Sequence, residues 1–347
     1  MKNTQAIQGI LDKSIDGKVV FGTTFALKFD NKIWNGASGN LSADSPFFIA
    51  STTKLFTTAL VLKLISRGVW RLEDPIGKFL GSEVMKDLHV FKGMDYSAHI
   101  TIGQLMAHTS GLPDYFQGKG PDGTSLEKRL TAGIDQGWTF EEAIALSKSM
   151  HPHFAPGTLH KAKYADTNFQ LLGRMIENCT GVAFAAYCHS EIISPLGLSQ
   201  TYLYADPTDS QPQPLSFRDQ VLRIPKAMAS FGPDGGMVSS SCDLLRFLEG
   251  FFLGELFPQS YLPSLQKWNK IFFPMKAGIG IQLFELPWIL NPFGTVPAFI
   301  GHSGLSGALA YYSPSQRIMI TGTVNQISNP DRSFRVMIRL AQLIKTS

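Results

Sequence analysis

Cysteine is scarce in this chain: Cys179, Cys188 and Cys242 are the only three in 347 residues, an odd number with no C-x-x-C spacing. That is too few for a disulfide framework, and the three read as buried thiols of a reducing compartment. No run of 18 apolar residues occurs that would cross a bilayer, and Met1–Lys18 lacks the apolar stretch of a secretory signal. The expectation is a cytoplasmic protein with no membrane partner. Charge is sparse as well, at 17% of residues, and the net +4 is scattered without aromatic interleaving. Nucleic acid is therefore not an expected partner. No G-x-S-x-G is present, so the strand–turn–helix nucleophile of α/β-hydrolases has no support. His151, His153 and His160 lie near one another, but Pro152 intervenes and no H-E-x-x-H exists. Neither a metal nor another cofactor is expected.

What is present is a long chain with 44% hydrophobic residues, enough for one large domain or two intimately joined ones. Residues 4–15 read as a helix. Phe21–Ala26 and Lys32–Gly39 alternate around Asp30-Asn31 and read as a hairpin. Helical patterns then dominate as far as Gly232, over Thr101–His108, Thr139–Ser149, Asn168–Cys179 and Val182–Ile193. The loop Ser110–Thr124, rich in Gly, Pro and Asp, reads as a lid or cleft rim, with Tyr115 as a candidate substrate contact. After Gly232–Gly236, Ser240 or Ser241 caps a helix carrying Leu244, Leu245, Phe247 and Leu248. Strand patterns return at Gly278–Phe284, Ala298–Ile300, Ala308–Tyr312 and Ile318–Val324, and Ser333–Ile344 reads as a closing helix. Strands at both ends and helices between them predict an α+β fold. One antiparallel sheet, flanked by the terminal helices, would be built from residues 1–75 and 233–347. A mostly helical insertion would occupy 76–232, with a site in the cleft between them.

One stretch stands out. Phe47-Phe48-Ile49 leads through Ala50 to Ser51-Thr52-Thr53-Lys54 and the apolar run Leu55–Ile65, which Gly68 ends. Leu55, Ala59 and Leu62 share one stripe and Phe56, Leu60 and Leu64 the next, so this helix is apolar nearly all round. Ser51 falls at its start, where free N–H groups favour developing negative charge, and Lys54 is one turn along. Alone, Ser51 reads as a cap and Lys54 as a solvated residue. The apolar walls leave no solvent face for that lysine, and an amine buried beside a serine hydroxyl is costly without a use.

Two further segments complete a constellation. Tyr164-Ala165-Asp166 precedes the helix at Asn168, where Asp166 or Thr167 also reads as an N-cap. Gly301-His302-Ser303-Gly304-Leu305-Ser306-Gly307 precedes a strand, and its glycines permit close backbone approach. Taken in order, these segments resemble the three motifs of the serine β-lactamase-like superfamily: Ser-x-x-Lys at Ser51–Lys54, Tyr-x-Asn at Tyr164–Asp166, and Lys/His-Thr/Ser-Gly at His302–Gly304. The chain is most similar to the branch holding class C β-lactamases, D-alanyl-D-alanine carboxypeptidases and family VIII carboxylesterases. Leu72–Pro75, Thr101–Pro113 and Gly235–Ser240 match structural segments of that branch.

The resemblance implies an acyl-enzyme on Ser51, formed from a small ester or amide. It assigns proton work to Lys54 and to a Tyr164 of lowered pKa, and the oxyanion to the backbone N–H groups of Ser51 and Leu305. Substrate contacts would come from Asp166, His302, Ser303 and Gly304. Two residues depart from the pattern. Asp166 replaces the usual asparagine and cannot donate to a substrate carbonyl, and it favours the charged form of Lys54. His302 replaces the lysine of class C enzymes and is mostly neutral at pH 7. The expected activity is that of a carboxylesterase on small esters. An acyltransferase, then a peptidase or β-lactamase, are the alternatives, and a scaffold that kept the fold is the non-enzymatic one.

Overall fold

A computed structural model describes residues 4–345; residues 1–3 and 346–347, at the outer limits of the expected sheet-bearing unit, lie outside the described residues. Helix α1 (Thr4–Asp12) is followed by strands β1 (Gly22–Phe29) and β2 (Lys32–Gly39). They form the expected hairpin, with Asp30 at φ 52° in the left-handed conformation that aspartate tolerates at a turn. Strand β3 (Phe47–Phe48) runs into a 3-10 turn, Ala50–Thr52, and then into helix α2 (Thr53–Ser66). Eleven of the fourteen α2 residues are buried, Lys54 among them, as the all-round apolar pattern requires. Helix α3 (Thr167–Thr180), the short strands β4 (Tyr202–Leu203) and β5 (Met237–Ser239), and helix α4 (Ser241–Phe252) follow. Ser240 caps α4, its hydroxyl accepting from the Asp243 N–H.

The carboxy-terminal third supplies β6 (Asn269–Phe272), β7 (Met275–Ala277), β8 (Gln282–Phe284), β9 (Phe299–Ser303), β10 (Ala308–Ser313), β11 (Ile318–Thr323) and helix α5 (Asp331–Lys345). The main sheet is antiparallel in the order β6-β7-β8-β9-β10-β11-β1-β2, so the amino-terminal hairpin completes a sheet begun by the last six strands. Period-two alternation gives the sheet two buried faces. Phe25, Leu27, Leu309 and Ile320 pack with Leu11 of α1 and Met337 and Leu340 of α5. Ala26, Ala308, Ala310 and Met319 face the other way and join the core of α2 and α4, where the rings of Phe56 and Phe247 stack at 3.7 Å. The small residues on that face let α4 approach closely. The result is the expected α+β architecture.

Several local expectations are corrected. Gly278–Phe284 is not one strand: Gly278 N–H bonds to Ile281 O and Gly280 takes φ 73°, closing a turn between β7 and β8. Strand β6 carries no clear alternation in sequence and was not expected. Val182–Ile193 is a short helix, Phe184–Cys188, followed by a π-helical turn, His189–Ile193. Cys179 is exposed at the end of α3, so only Cys188 is a fully buried thiol. The Ser110–Thr124 segment is no simple lid, since its residues 110–116 are buried. Among the described residues no helix is long and apolar enough to cross a membrane, and no group of three His, Cys, Asp or Glu could hold a metal ion.

Candidate active site

Ser51 lies within the 3-10 turn that precedes α2, presented by a strained neighbour. Ala50 adopts φ 45°, a conformation costing on the order of 1–3 kcal/mol for a residue with a Cβ. It is held from two sides. Ile49 N–H bonds to Met237 O of β5 at 3.0 Å. Gly304 at the end of β9 packs so closely that a Cβ there would lie 2.4 Å from Ile49 O and 2.9 Å from the Ala50 Cβ. That contact brings the Leu305 peptide alongside Ser51. Among the described residues the Leu305 N–H has no hydrogen-bond partner, and Leu305 and Ser51 line the same two recesses.

Lys54 is completely buried and donates three hydrogen bonds: to Ser51 Oγ at 3.1 Å, Asp166 Oδ1 at 2.5 Å and Asp234 O at 2.6 Å. These account for all three ammonium protons. Burial opposes the charge, but Asp166, with Tyr164 and Asp234, more than offsets it, and the lysine pKa is raised. The turn that supplies Asp234 is fixed to α2. Thr57 Oγ1 donates to Pro233 O at 2.6 Å, and Met237 N–H donates to Thr53 Oγ1 at 3.1 Å. On α3, Gly173 leaves room for the Pro233 ring, which a Cβ would meet at 2.2 Å.

Asp166 stands at the N-cap position of α3 but makes no capping hydrogen bond; its carboxylate turns to Lys54 instead. Asp234 is buried too. Its carboxyl accepts from Tyr115 Oη at 2.7 Å and Gln170 Nε2 at 3.1 Å. Burial first, then the charge of Asp166, holds it well above the usual carboxyl range. Tyr115 is therefore no substrate contact at the cleft surface: it is fully buried and supports Asp234. Asp114 accepts the N–H groups of Phe116 and Gln117 through Oδ1, while its Oδ2 is buried without a partner. Burial, with Asp166 nearby, pushes it up to about 7.

Tyr164 is positioned by His108, whose ring stacks on the phenol at 4.3 Å. His108 Nδ1 accepts the Ala165 N–H at 3.2 Å, which fixes the backbone beside Tyr164. Burial, then Lys54 and His302, lower the His108 pKa well below its ordinary value, so this ring is neutral. Lys54 Nζ sits 5.1 Å from the Tyr164 ring centre. The phenol pKa nonetheless departs from expectation. Burial and the Asp166 charge raise it, outweighing the pull of the Lys54 charge, and Tyr164 Oη is buried without a hydrogen-bond partner. The resting tyrosine is a neutral phenol. Asp166 cancels the lysine charge that was expected to depress it.

His302 is 2% exposed and lines neither recess; its ring lies 6.2 Å from that of Tyr164. Its Nδ1 donates to the Ser303 carbonyl at 2.8 Å, an acceptor that assigns the proton to that nitrogen. Burial, with Lys54 adding to it, pushes its pKa down to about 3. Ser303 and Gly304 do line the larger recess, about 350 Å³, with Ser51, Tyr164 and an aromatic wall at Phe272, Phe273 and Phe284. Gln282 accepts from Ser303 Oγ at 3.3 Å and Tyr311 Oη at 3.1 Å. Sequence reasoning missed Gln282 and Asp234. A lone glutamine inside an apolar strand was the available signal for the first; Asp234 was hidden in a turn. A second, much smaller recess of about 40 Å³ also borders Ser51; Phe116, Leu130, Leu215, Met228 and Phe231 line it together with Asp166, Asp234 and Ser306.

A serine nucleophile candidate beside a saturated buried lysine, on an α+β scaffold with this strand order, defines a serine hydrolase. The chain belongs to the family described as Beta-lactamase, whose model matches residues 10–343, and it has the β-lactamase/transpeptidase-like fold. Among curated relatives, it is 28% identical to the esterase EstB of Burkholderia gladioli, covering 76% of this chain and 69% of EstB. It is 24% identical to penicillin-binding protein 4 of Amycolatopsis lactamdurans, covering 84% and 76% respectively. Among solved structures, a D-stereospecific amidohydrolase from Streptomyces superposes with a TM-score of 0.78 at 25% identity, over 96% of this chain and 97% of that one.

Proposed function

We propose that this protein is a carboxylesterase that hydrolyses small esters through an acyl-enzyme on Ser51, in a cleft between a sheet-bearing unit (residues 1–75 and 233–347) and a mostly helical unit (76–232). The observation that carries the reading is Lys54: fully buried, 3.1 Å from Ser51 Oγ and paired to Asp166 at 2.5 Å. An ion pair so placed carries a large desolvation cost, which a catalytic task accounts for and a structural one does not. Lys54 first gives a proton to Asp166 and, as the neutral amine, takes the Ser51 proton as Oγ attacks the ester carbonyl, so charge is conserved across the pair. The N–H groups of Ser51 and Leu305 hold the oxyanion. Tyr164, a neutral phenol, protonates the departing alkoxide and recovers a proton from Lys54. Water then releases the acid by the reverse sequence. The likeness to the Streptomyces amidohydrolase supports small amides as a second substrate class.

The test is intact-protein mass spectrometry after treatment with a fluorophosphonate and p-nitrophenyl esters. A single adduct on wild type, absent in Ser51→Ala, is expected, with ester turnover lost by at least about 10⁴-fold in the variant. No adduct on wild type would refute the reading. Tyr164→Phe separates the proton roles. Turnover of methyl esters, whose leaving group needs a proton, is expected to fall about 10²–10⁴-fold, while p-nitrophenyl ester acylation falls far less. Equal losses on both would make Tyr164 the base instead.

A further inference from the structure

The exposed aromatic side chains of this protein are gathered in one place. Among the described residues the exposed Phe and Trp side chains are Phe272, Phe273, Trp288 and Phe293, the last three 74%, 77% and 87% exposed, with Ile289 and Leu290 exposed beside Trp288. The sheet brings these two stretches of chain together. Met275 of β7 lies opposite Phe284 of β8, and Phe284 lies opposite Phe299 of β9. The turn from β6 to β7 and the connection from β8 to β9 therefore leave the sheet at the same end. That end is the mouth of the larger recess. Phe272 and Phe273 line it with Ser51, and the Phe272 ring meets that of Tyr164 edge-on at 6.3 Å. Single apolar side chains scattered over a surface need no explanation, whereas a cluster of large ones marks a contact.

The charges around the cluster select the partner. Between residues 262 and 298 the charged side chains are Lys267, Lys270, Lys276 and Glu285. Lys276 is paired with Glu285, while Lys267 and Lys270 are exposed and form no ion pair among the described residues. Asp331, which lines the same recess, is paired with Arg335. The face is thus aromatic and aliphatic, with two uncompensated cations beside it and its acids neutralised. A second copy of the same face would set like charges against each other. An anionic lipid surface matches both features, taking the rings at headgroup level and the ammonium groups beside phosphates. From this juxtaposition we infer that the rim formed by Phe272–Phe273 and Trp288–Phe293 docks the protein on an anionic lipid surface, with the recess opening onto it. Among the described residues no helix is fit to cross a membrane, so the contact is peripheral. The docking is independent of the chemistry at Ser51; it adds that esters held in the lipid reach that serine past Phe272 and Phe273.

The experiment is flotation with vesicles of phosphatidylcholine and phosphatidylglycerol in equal parts, and with vesicles of phosphatidylcholine alone, at about 0.1 M salt. Wild type is expected to partition onto the anionic vesicles at least about 10-fold more strongly, since each exposed lysine near such a surface contributes about fivefold. Lys267→Gln/Lys270→Gln is expected to lose that preference. Trp288→Ser/Phe293→Ser changes two exposed side chains outside the recess; its partition is expected to fall at least about 10-fold with an unchanged circular dichroism spectrum. Tryptophan emission of wild type is expected to shift to the blue on the anionic vesicles, and that shift to vanish in Trp288→Phe, which still floats. No flotation on anionic vesicles, equal flotation on both lipids, or flotation that survives Trp288→Ser/Phe293→Ser overturns the inference. So does a dimer in sedimentation velocity that the same double variant dissolves while wild type fails to float, which assigns the face to a second copy. Fluorophosphonate labelling is read separately in solution. A protein that labels without floating loses this inference alone, and one that floats without labelling loses only the acyl-enzyme.

Discussion

Replacing Lys54 by methionine keeps the length and apolar stem of the side chain and removes its charge. In the wild-type protein the ammonium faces Asp166 Oδ1 at 2.5 Å, with both side chains nearly or fully buried. The variant strands a carboxylate in the protein interior, beside two more acids, with a cost of roughly 3–5 kcal/mol for a broken buried pair. A ceiling applies. The stranded group escapes by taking a proton, and at pH 7 that costs about 4 kcal/mol from an ordinary aspartate value near 3.9. At pH 5 the same escape costs only about 1.5 kcal/mol. The sign follows directly: a carboxyl that is protonated only in the folded variant makes folding take up a proton, so stability falls as pH rises above the unfolded value. For 347 residues the unfolding entropy is about 0.7 kcal/mol per kelvin, so Lys54→Met is expected to melt about 5 °C below wild type at pH 7 and about 2 °C below at pH 5. Adding Asp166→Asn removes the stranded charge and is expected to recover most of the loss at pH 7. Differential scanning calorimetry of the four proteins of this cycle, at both pH values, is the assay. A Lys54→Met deficit that is unchanged between pH 7 and pH 5, or undiminished by Asp166→Asn, would refute the buried-pair argument.

Two other predictions concern neighbours of that pair. Asp114, pushed up to about 7 by burial and by Asp166, favours the folded protein fully below the unfolded aspartate value and loses that contribution as pH rises towards 7. Asp114→Asn keeps an acceptor for Phe116 and Gln117, so the variant is expected to gain thermal stability relative to wild type on going from pH 5 to pH 8; parallel pH dependence of the two melting curves would count against it. Gly304→Ala places a Cβ 2.4 Å from Ile49 O and moves the Leu305 peptide from Ser51. A fall in kcat of about 10²–10³-fold with an intact circular dichroism spectrum is expected, and unaltered kcat would show that the Leu305 N–H does not serve the oxyanion.

The local sequence determined the elements that hydrophobic periodicity can encode. The α2 run Leu55–Ile65, the hairpin at Asp30-Asn31 and the cap at Ser240 are short-range, and each appears where its pattern lies. Ser51 and Lys54 were legible because one helical turn joins them. The spacing along the chain could not show that Asp166, 112 residues on, and Asp234, 180 residues on, supply the other two acceptors of the lysine. Nor could it show that Tyr115 turns inward to Asp234, or that Ser303 lines the larger recess while His302 is buried beside it. The ionisation of Tyr164 was beyond reach for the same reason. A pKa is the sum of burial and of every charge nearby, and here Asp166 and desolvation prevail over Lys54. Sequence fixes which groups exist and which lie one turn apart; only the closed fold sets the dielectric and the distances between groups far apart in the chain, and these decide which proton sits where.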